Sequence, residues 1–272
     1  MITLVGGTGR LGRQVAAALV AQGRAVRVVS RHAGTEGADP ERAVAELVAA
    51  DVADPRQARA VVDGSTAIVA AMTGMDPRRG AGPRAVDRDA AINLIDAAAE
   101  FGCHLVLVSV VGAALNSPIE LFRMKAAAEA HLKARDLPWT IVRATAFAET
   151  WADIITASTG RDGRPRLLGP ARNPMNFVPV ADVAATVIRA IDAAALRGRC
   201  VEVDGPENLS LTDLAARLTG RPPRHLPTPL VRTLGWAARP LAPGLARIAR
   251  QAIAMEHLDL TRDDHPLQRH GR

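Results

Sequence analysis

The first twelve residues constrain the fold of this chain more than any other stretch. A short apolar run, Ile2 to Val5, leads directly into a glycine-rich turn, and an Ala- and Val-rich helical pattern follows from Gln14 to Val20. A strand, a glycine turn and a helix in this order let the backbone approach a pyrophosphate, which the helix N-terminus binds. We therefore predict a dinucleotide site whose contacts include Gly6, Thr8, Gly9, Arg10, Leu11 and Gly12.

Apolar strands alternate with helical patterns along the first 145 residues, which is typical of βαβ units in a parallel sheet. The predicted fold class is α/β, a Rossmann-type doubly wound parallel sheet with a smaller C-terminal substrate-binding portion. We expect a single domain over 1–272, with a cofactor-binding core at 1–145 and the substrate-binding portion at 146–272. Two amphipathic helices within 229–257 are candidates for a lid over the substrate, the alternative being that they pack against the sheet or a second subunit.

The formal net charge is +6, and nearly all of the basic charge is arginine, because Lys125 and Lys133 are the only lysines. The arginines are scattered and not interleaved with aromatic residues, which argues against nucleic acid as a partner. No apolar run is long enough to cross a bilayer, and the first strand leaves no room for a signal peptide. We expect a cytoplasmic protein with a small-molecule substrate and no membrane partner. Cys103 and Cys200 are expected to be reduced thiols without metal-ligand spacing.

The end of the second predicted strand bears on the choice of dinucleotide. A carboxylate there binds the ribose 2′-hydroxyl of NAD, whereas a cation accepts the 2′-phosphate of NADP. The chain has Ser30 and Arg31 at this place and no acid, so we predict NADP(H), the alternative being that Arg31 is a solvated loop residue. Asp51 and Val52 follow the third strand and are predicted cofactor contacts, where Asp51 can bind the adenine amino group or instead cap a helix.

Several motifs together resemble a known family. They are the glycine turn, Asp51-Val52, Asn93-Leu94-Ile95-Asp96-Ala97-Ala98, Val106-Leu107-Val108-Ser109, Leu137-Pro138-Trp139-Thr140-Ile141-Val142-Arg143 and Phe177-Val178-Pro179-Val180-Ala181-Asp182-Val183-Ala184. Over roughly residues 1–195 the chain is similar to the NmrA-like branch of the atypical short-chain dehydrogenases/reductases. The resemblance implies a Rossmann-type sheet, bound NADP(H), and a substrate pocket over the nicotinamide built from the C-terminal third.

The same resemblance shows that this chain lacks some of the catalytic residues that ordinary members of the family use. Ordinary members use a Tyr-x-x-x-Lys pair after the fifth strand, but this chain contains no tyrosine, and Leu121 stands four residues before Lys125. Ser109 ends the fifth strand, and Val110 follows where many relatives have the catalytic serine. We take Ser109 and Lys125 as catalytic candidates. Lys125 can act as the acid, bind the nicotinamide ribose, or pair on the surface with Glu129. Thr73, after the fourth strand, offers another hydroxyl and is a predicted cofactor contact, as is Lys125.

Because the usual protein acid is missing, we consider the substrate itself as the source of the proton. A phenol beside a ketone can deliver its own proton, and quinones accept hydride without a demanding donor. In its lack of tyrosine the chain resembles ketoreductases that act on angucyclinone-type polyketides. We predict an NADPH-dependent reductase of a bulky hydroxylated aromatic ketone or quinone, with Phe147, Trp151 and Trp236 as an apolar substrate wall or as ordinary core. The alternative is a non-catalytic NADP(H)-binding sensor or scaffold. The oligomeric state is left open.

Overall fold

A computed structural model describes residues 1–31, 45–75, 81–238 and 242–262. The chain divides into two compact units. The first unit contains Met1–Ala144 and Val180–Val203, and the second contains Thr145–Pro179 and Asp204–Arg272. The predicted substrate-binding portion, 146–272, therefore contributes a helix and a strand to the first unit. The functional division between 1–145 and 146–272 stays a prediction.

The strands, in chain order, are β1 (Ile2–Val5), β2 (Val26–Ser30), β3 (Ala45–Ala49), β4 (Ala67–Ala70), β5 (His104–Val110), β6 (Trp139–Ala144), β7 (Ala146–Phe147), β8 (Arg166–Leu168), β9 (Pro174–Val178), β10 (Arg199–Val203), β11 (Asn208–Ser210) and β12 (Arg224–Leu226). The first unit holds a seven-stranded sheet in the order β10-β6-β5-β4-β1-β2-β3. All neighbouring strands in it are parallel. This topology confirms the predicted Rossmann-type α/β fold. The chain changes direction across the sheet between β1 and β4, where ligands bind in doubly wound folds.

The α-helices are α1 (Arg10–Ala21), α2 (Pro55–Val62), α3 (Ala91–Phe101), α4 (Glu120–Lys133), α5 (Ala148–Ala157), α6 (Val180–Asp192), α7 (Leu211–Thr219), α8 (Thr228–Ala237) and α9 (Pro243–Met255). A π-helical segment, Arg84–Ala90, directly precedes α3. In the first unit α1 packs against α6, and α2, α3 and α4 pack in succession. Both faces of the central strands are therefore buried, as in other parallel sheets covered by helices.

Short-range sequence signals explain the helices that flank the site. In α1 the buried residues Leu11, Val15 and Leu19 recur at every fourth position and form one apolar face. At the start of α2 the Asp54 carboxylate accepts a hydrogen bond from the Arg56 N–H over 2.9 Å. Gly102 ends α3 in the left-handed conformation, with φ of 64°.

The second unit combines small sheets with helices. Its strands form a three-stranded sheet, β11-β9-β7, and a two-stranded sheet, β12-β8. The predicted amphipathic helices are α8 and α9, which pack closely, because a Cβ at Gly235 would lie 2.8 Å from the Ala249 Cβ. In the described parts of the chain, no helix has the length and apolar character needed to cross a membrane. Among those same residues, no three His, Cys, Asp or Glu side chains are grouped to hold a metal ion.

Candidate dinucleotide and catalytic site

The glycine turn, residues 6–12, joins β1 to α1 and leaves room where a cofactor would approach. Gly6 has φ of 84°, and a Cβ there would lie 2.8 Å from the carbonyl oxygen of Ala71. A Cβ at Gly12 would overlap the carbonyl oxygen of Gly6. Gly9 differs, because its backbone is extended and a Cβ would meet only that Gly6 oxygen, at 3.2 Å. Two glycines are thus required by the fold of the turn itself, and Gly9 leaves an open approach to the backbone.

The N-terminus of α1 fits an anion. Its N-cap residue is Gly9, no side-chain cap bonds to the first turn in the described structure, and that turn contains no acid. Helix N-termini of this kind present N–H donors and partial positive charge to a phosphate. Arg10 is exposed at the first helical position, whereas Leu11 is buried in the core and can serve a cofactor only through its backbone. The residues present therefore fit the pyrophosphate of a dinucleotide.

The ends of β2 and β3 flank this turn on the carboxyl edge of the sheet. Ser30 ends β2 and its hydroxyl accepts a hydrogen bond from Thr8 Oγ1 over 3.3 Å, while Arg31 follows it and is exposed. Asp51 is exposed and accepts a hydrogen bond from the Ala53 N–H. Because Asp54 caps α2, the helix-cap alternative for Asp51 is wrong.

Val52 belongs to the hydrophobic core, with 7% of its surface exposed. Its carbonyl oxygen accepts a hydrogen bond from Asn93 Nδ2 over 3.0 Å. A direct cofactor contact from its side chain is therefore disfavoured by burial, and the cofactor-binding role of Val52 stays a prediction. Thr73 is exposed in the loop that follows β4.

Lys125 lies on α4 and its ammonium is buried at the carboxyl ends of β4 and β5. It donates hydrogen bonds to the carbonyl oxygens of Met72, over 3.1 Å, and Val108, over 2.9 Å. Its ionic partner is Asp87, whose Oδ1 is 3.1 Å from Nζ. Surface pairing of Lys125 with Glu129 is therefore wrong. The side chain of Lys125 is 7% exposed, so this lysine holds strand ends together rather than projecting into solvent.

Comparison with protein families agrees with this geometry. The family model described as NAD(P)H-binding matches residues 6–194, which includes the glycine turn and nearly all of the first unit. The chain belongs to this NAD(P)H-binding family. Its cofactor is accordingly a nicotinamide dinucleotide, and the cradle at residues 6–12 suits the pyrophosphate of such a cofactor.

Three individual proteins are similar to this NAD(P)H-binding chain in sequence or in structure. An NAD(P)H azoreductase of Xenophilus azovorans is 26% identical over 230 residues, which is 83% of this chain and 76% of the azoreductase. A nucleoside-diphosphate-sugar epimerase of Staphylococcus aureus is 18% identical with a TM-score of 0.75, over 94% of this chain and 89% of the epimerase. An NADPH-dependent quinone oxidoreductase of Escherichia coli is 21% identical with a TM-score of 0.73, over 97% and 91% of the two chains. The structural likenesses establish the fold.

Ser109 lies in a buried polar cluster on β5. Its hydroxyl donates to Glu129 Oε1 over 2.6 Å, and Glu129 also accepts two hydrogen bonds from the Arg143 guanidinium, one of them over 2.5 Å. Ser109 is 2% exposed and Glu129 is 3% exposed. The hydrogen bond that Arg143 donates to Glu129 raises the pKa of the Arg143 guanidinium, so this group stays protonated beside Glu129. In this arrangement the Ser109 hydroxyl uses its proton in the hydrogen bond to Glu129.

The predicted substrate wall lies in the second unit. Phe147 ends β7, and Trp151 lies on α5 with its side chain partly buried. Trp236 lies on α8 and is 69% exposed, which rules out the ordinary-core alternative for this residue. The role of these three side chains toward a substrate, like that of the α8–α9 pair as a lid, stays a prediction.

Sequence reasoning missed Asp87 and also the pairing of Glu129 with Arg143. Asp87 is fully buried, and it stands three, four and seven residues before Ala90, Ala91 and Leu94, so the apolar stripe of the helix signals that it points inward. Arg143 and Glu129 gave no comparable signal. They meet because β6 and α4 are neighbours in the folded unit, which spacing along the chain does not reveal.

Proposed function

We propose that the chain is an NADPH-dependent oxidoreductase that reduces a planar, conjugated acceptor: a quinone, an azo compound or a hydroxylated aromatic ketone of the polyketide type. One observation carries the proposal, namely a dinucleotide cradle formed by residues 6–12 in a chain that contains no tyrosine. The relative named as an azoreductase and the structural neighbour named as a quinone oxidoreductase support the same class of acceptor.

The geometry of the candidate acids supports acceptors that need little help with protons. Ser109 donates its hydroxyl proton to Glu129, and the Lys125 ammonium is buried against two carbonyl oxygens and Asp87. Neither group is placed to protonate a simple alkoxide, which is strongly basic. A reduced quinone carries its new charge on a phenolate, which is far less basic than an alkoxide, so water can supply the proton. A phenol next to a ketone can deliver that proton within the substrate.

The chemistry balances with one cofactor and one acceptor. NADPH, when bound, supplies a hydride, and the acceptor takes this hydride and one proton from water or from its own phenol. The chain's task is then to bind and orient: the glycine turn and the α1 N-terminus hold the pyrophosphate, and Arg31 with Ser30 favours the 2′-phosphate. The exposed Trp236 provides an aromatic surface of the kind that planar acceptors stack on.

A binding and turnover experiment tests the proposal. NADPH and NADH are titrated by fluorescence, and NADPH oxidation is then followed with a quinone, an azo dye, a hydroxylated aromatic ketone and a simple aliphatic ketone. We expect preferential binding of NADPH and turnover of at least one conjugated acceptor, with no turnover of the aliphatic ketone. Tight NADPH binding without any turnover would instead favour the sensor or scaffold.

Variants of the two catalytic candidates sharpen the same experiment. Ser109→Ala is expected to retain turnover of the conjugated acceptor, because its hydroxyl serves Glu129. Lys125→Met is expected to weaken cofactor binding and to leave turnover at saturating NADPH within about threefold of the wild-type value. A loss of turnover at saturating NADPH by a factor of about 100 or more would assign the proton to Lys125.

A further inference from the structure

Asp87 is a fully buried carboxylate in the π-helical segment Arg84–Ala90. An isolated buried carboxylate is costly, so it persists only where it is paired and hydrogen-bonded. π-helical turns are uncommon and are often found near functional sites. Asp87 takes part in no step of the proposed reaction. Its burial next to the end of β4 therefore needs a different explanation.

The two carboxylate oxygens of Asp87 face different parts of the site. Oδ2 accepts a hydrogen bond from the Gly74 N–H over 2.8 Å. Oδ1 is at ion-pair distance from Lys125 Nζ, 3.1 Å away, although the contact is not aligned as a hydrogen bond. The Lys125 ammonium in turn donates to Met72 O and Val108 O. Asp87 thus binds Gly74 of the loop Ala71–Gly74 directly, and through Lys125 it is linked to Met72 of the same loop and to Val108 near the end of β5.

This loop forms a wall of the glycine turn. A Cβ at Gly6 would lie 2.8 Å from the carbonyl carbon and oxygen of Ala71 and 2.9 Å from the Met72 N, so the two backbones are in direct contact. On its other side the loop is packed as tightly, because a Cβ at Gly74 would lie 2.5 Å from the Gly82 oxygen. The contact occurs between β1 and β4, where the strand order reverses and the dinucleotide is expected.

We propose that Asp87 is a positioning residue for the dinucleotide. By fixing Gly74 and neutralising Lys125, it sets the position of the Ala71–Gly74 loop against Gly6, and with it the shape of the pyrophosphate cradle. Asp87 itself is fully buried, so it acts on the cradle through Gly74 and Lys125. The proposal rests on the proposed function only in requiring that NADPH binds at the glycine turn.

The test is a direct NADPH titration that reports both the dissociation constant and the number of sites per chain. Asp87→Asn keeps an oxygen that can accept from the Gly74 N–H but leaves the buried ammonium of Lys125 without its counter-ion. Asp87→Ala removes both interactions. We expect the NADPH dissociation constant to rise about tenfold in the first variant and further in the second, with one site per chain retained.

Two further variants complete the design. Asp87→Asn combined with Lys125→Met removes the uncompensated charge and serves as a second test if the single variant does not fold. We expect its dissociation constant also to exceed the wild-type value, because Met cannot bond to Met72 O or Val108 O. Asp96→Asn is the matched control, since Asp96 lies on α3 in a partly exposed pair with His131 and Arg135, and it should bind NADPH like the wild type.

The outcomes separate a positioning role from a merely structural one. A destabilised variant loses active molecules, so its site number falls while its dissociation constant stays the same, and that result would overturn the proposal. Wild-type affinity in Asp87→Asn and in the double variant would overturn it as well. If the wild type binds NADPH but reduces none of the acceptors, the proposed function fails while the affinities still decide the role of Asp87.

Discussion

Thr8 Oγ1 donates a hydrogen bond to Ser30 Oγ over 3.3 Å, and this bond links the glycine turn to the end of β2. The Gly6 N–H reinforces the link by donating to the carbonyl oxygen of Val29 over 3.2 Å. The turn that suits the pyrophosphate and the strand end that faces the adenosine ribose in this fold are therefore held side by side. Arg31 directly follows Ser30, so these two hydrogen bonds also help to fix the position of its backbone.

Arg31→Ala is expected to reduce the preference for NADPH over NADH. The variant removes the guanidinium that we propose binds the 2′-phosphate through a charge-assisted hydrogen bond, so NADPH binding should weaken by about 10- to 100-fold. NADH lacks this phosphate, and its affinity should remain within about twofold of the wild-type value. Equilibrium titration of both dinucleotides at fixed ionic strength measures the two constants.

Arg189→Ala supplies the control for charge, because Arg189 is an exposed arginine on α6 in the same unit. It should leave the ratio of the two dissociation constants unchanged. Equal losses for NADPH and NADH in Arg31→Ala would show that Arg31 acts through general electrostatics and does not recognise the 2′-phosphate.

Gly9→Ala and Gly12→Ala are expected to fail in different ways. The Gly9 backbone is extended and an added Cβ meets only one atom, so Gly9→Ala should keep the wild-type melting temperature and lose at least about tenfold in NADPH affinity. At Gly12 the added Cβ overlaps the Gly6 oxygen, so that variant should melt at a lower temperature. Thermal melts with and without NADPH distinguish the two effects, and wild-type affinity in Gly9→Ala would remove Gly9 from the site.

The sequence was sufficient for the features that depend on local patterns. The glycine turn and the alternation of strands and helices reappear in the described part of the first unit, because strand and helix periodicity and glycine conformations are local properties. They led to the Rossmann-type fold and to the nicotinamide dinucleotide.

Partners across the fold could not be predicted in the same way. Lys125 pairs with Asp87 rather than with its helical neighbour Glu129, because α4 buries both side chains and each finds its partner on another element. An i,i+4 rule describes exposed helix surfaces, where no such competition exists. Ser109 was selected for its position at the end of a strand, but which face its hydroxyl takes depends on the packing of α4.

Arg143→Met is expected to destabilise the first unit through Glu129. The substitution leaves a 3% exposed carboxylate with the Ser109 hydroxyl and a distant Lys133 ammonium, 3.9 Å away. Breaking a buried pair by removing one partner should cost about 3 kcal/mol, at the lower end of the usual range because Arg143 is partly exposed. Urea denaturation measures the loss. Glu100→Gln, which breaks the exposed pair with Arg59, should leave the urea midpoint unchanged, and an equal loss there would contradict the argument from burial.

His104 should make the protein less stable in mild acid. It is 4% exposed on β5, its Nε2 lies 3.1 Å from Thr140 Oγ1, and burial lowers its pKa below the ordinary value of 6.5, with Arg197 adding to the effect. The folded state therefore keeps this imidazole neutral while the unfolded state takes up a proton as the pH falls below 6.5. The free energy of unfolding that this group contributes is fully present above pH 6.5 and decreases as the pH falls toward the lowered pKa. The decrease is at most about 1.4 kcal/mol per pH unit.

Urea midpoints at pH 7.5 and pH 5.5 test the prediction in the wild type and in His104→Asn, which keeps a polar group facing Thr140. The variant cannot take up this proton, so its midpoint should fall less between the two pH values than that of the wild type. His257→Gln removes an exposed histidine instead and should follow the wild-type pH dependence. If His104→Asn lost as much stability in acid as the wild type, the His104 imidazole would not be the cause. Other titrating groups would then have to explain the loss.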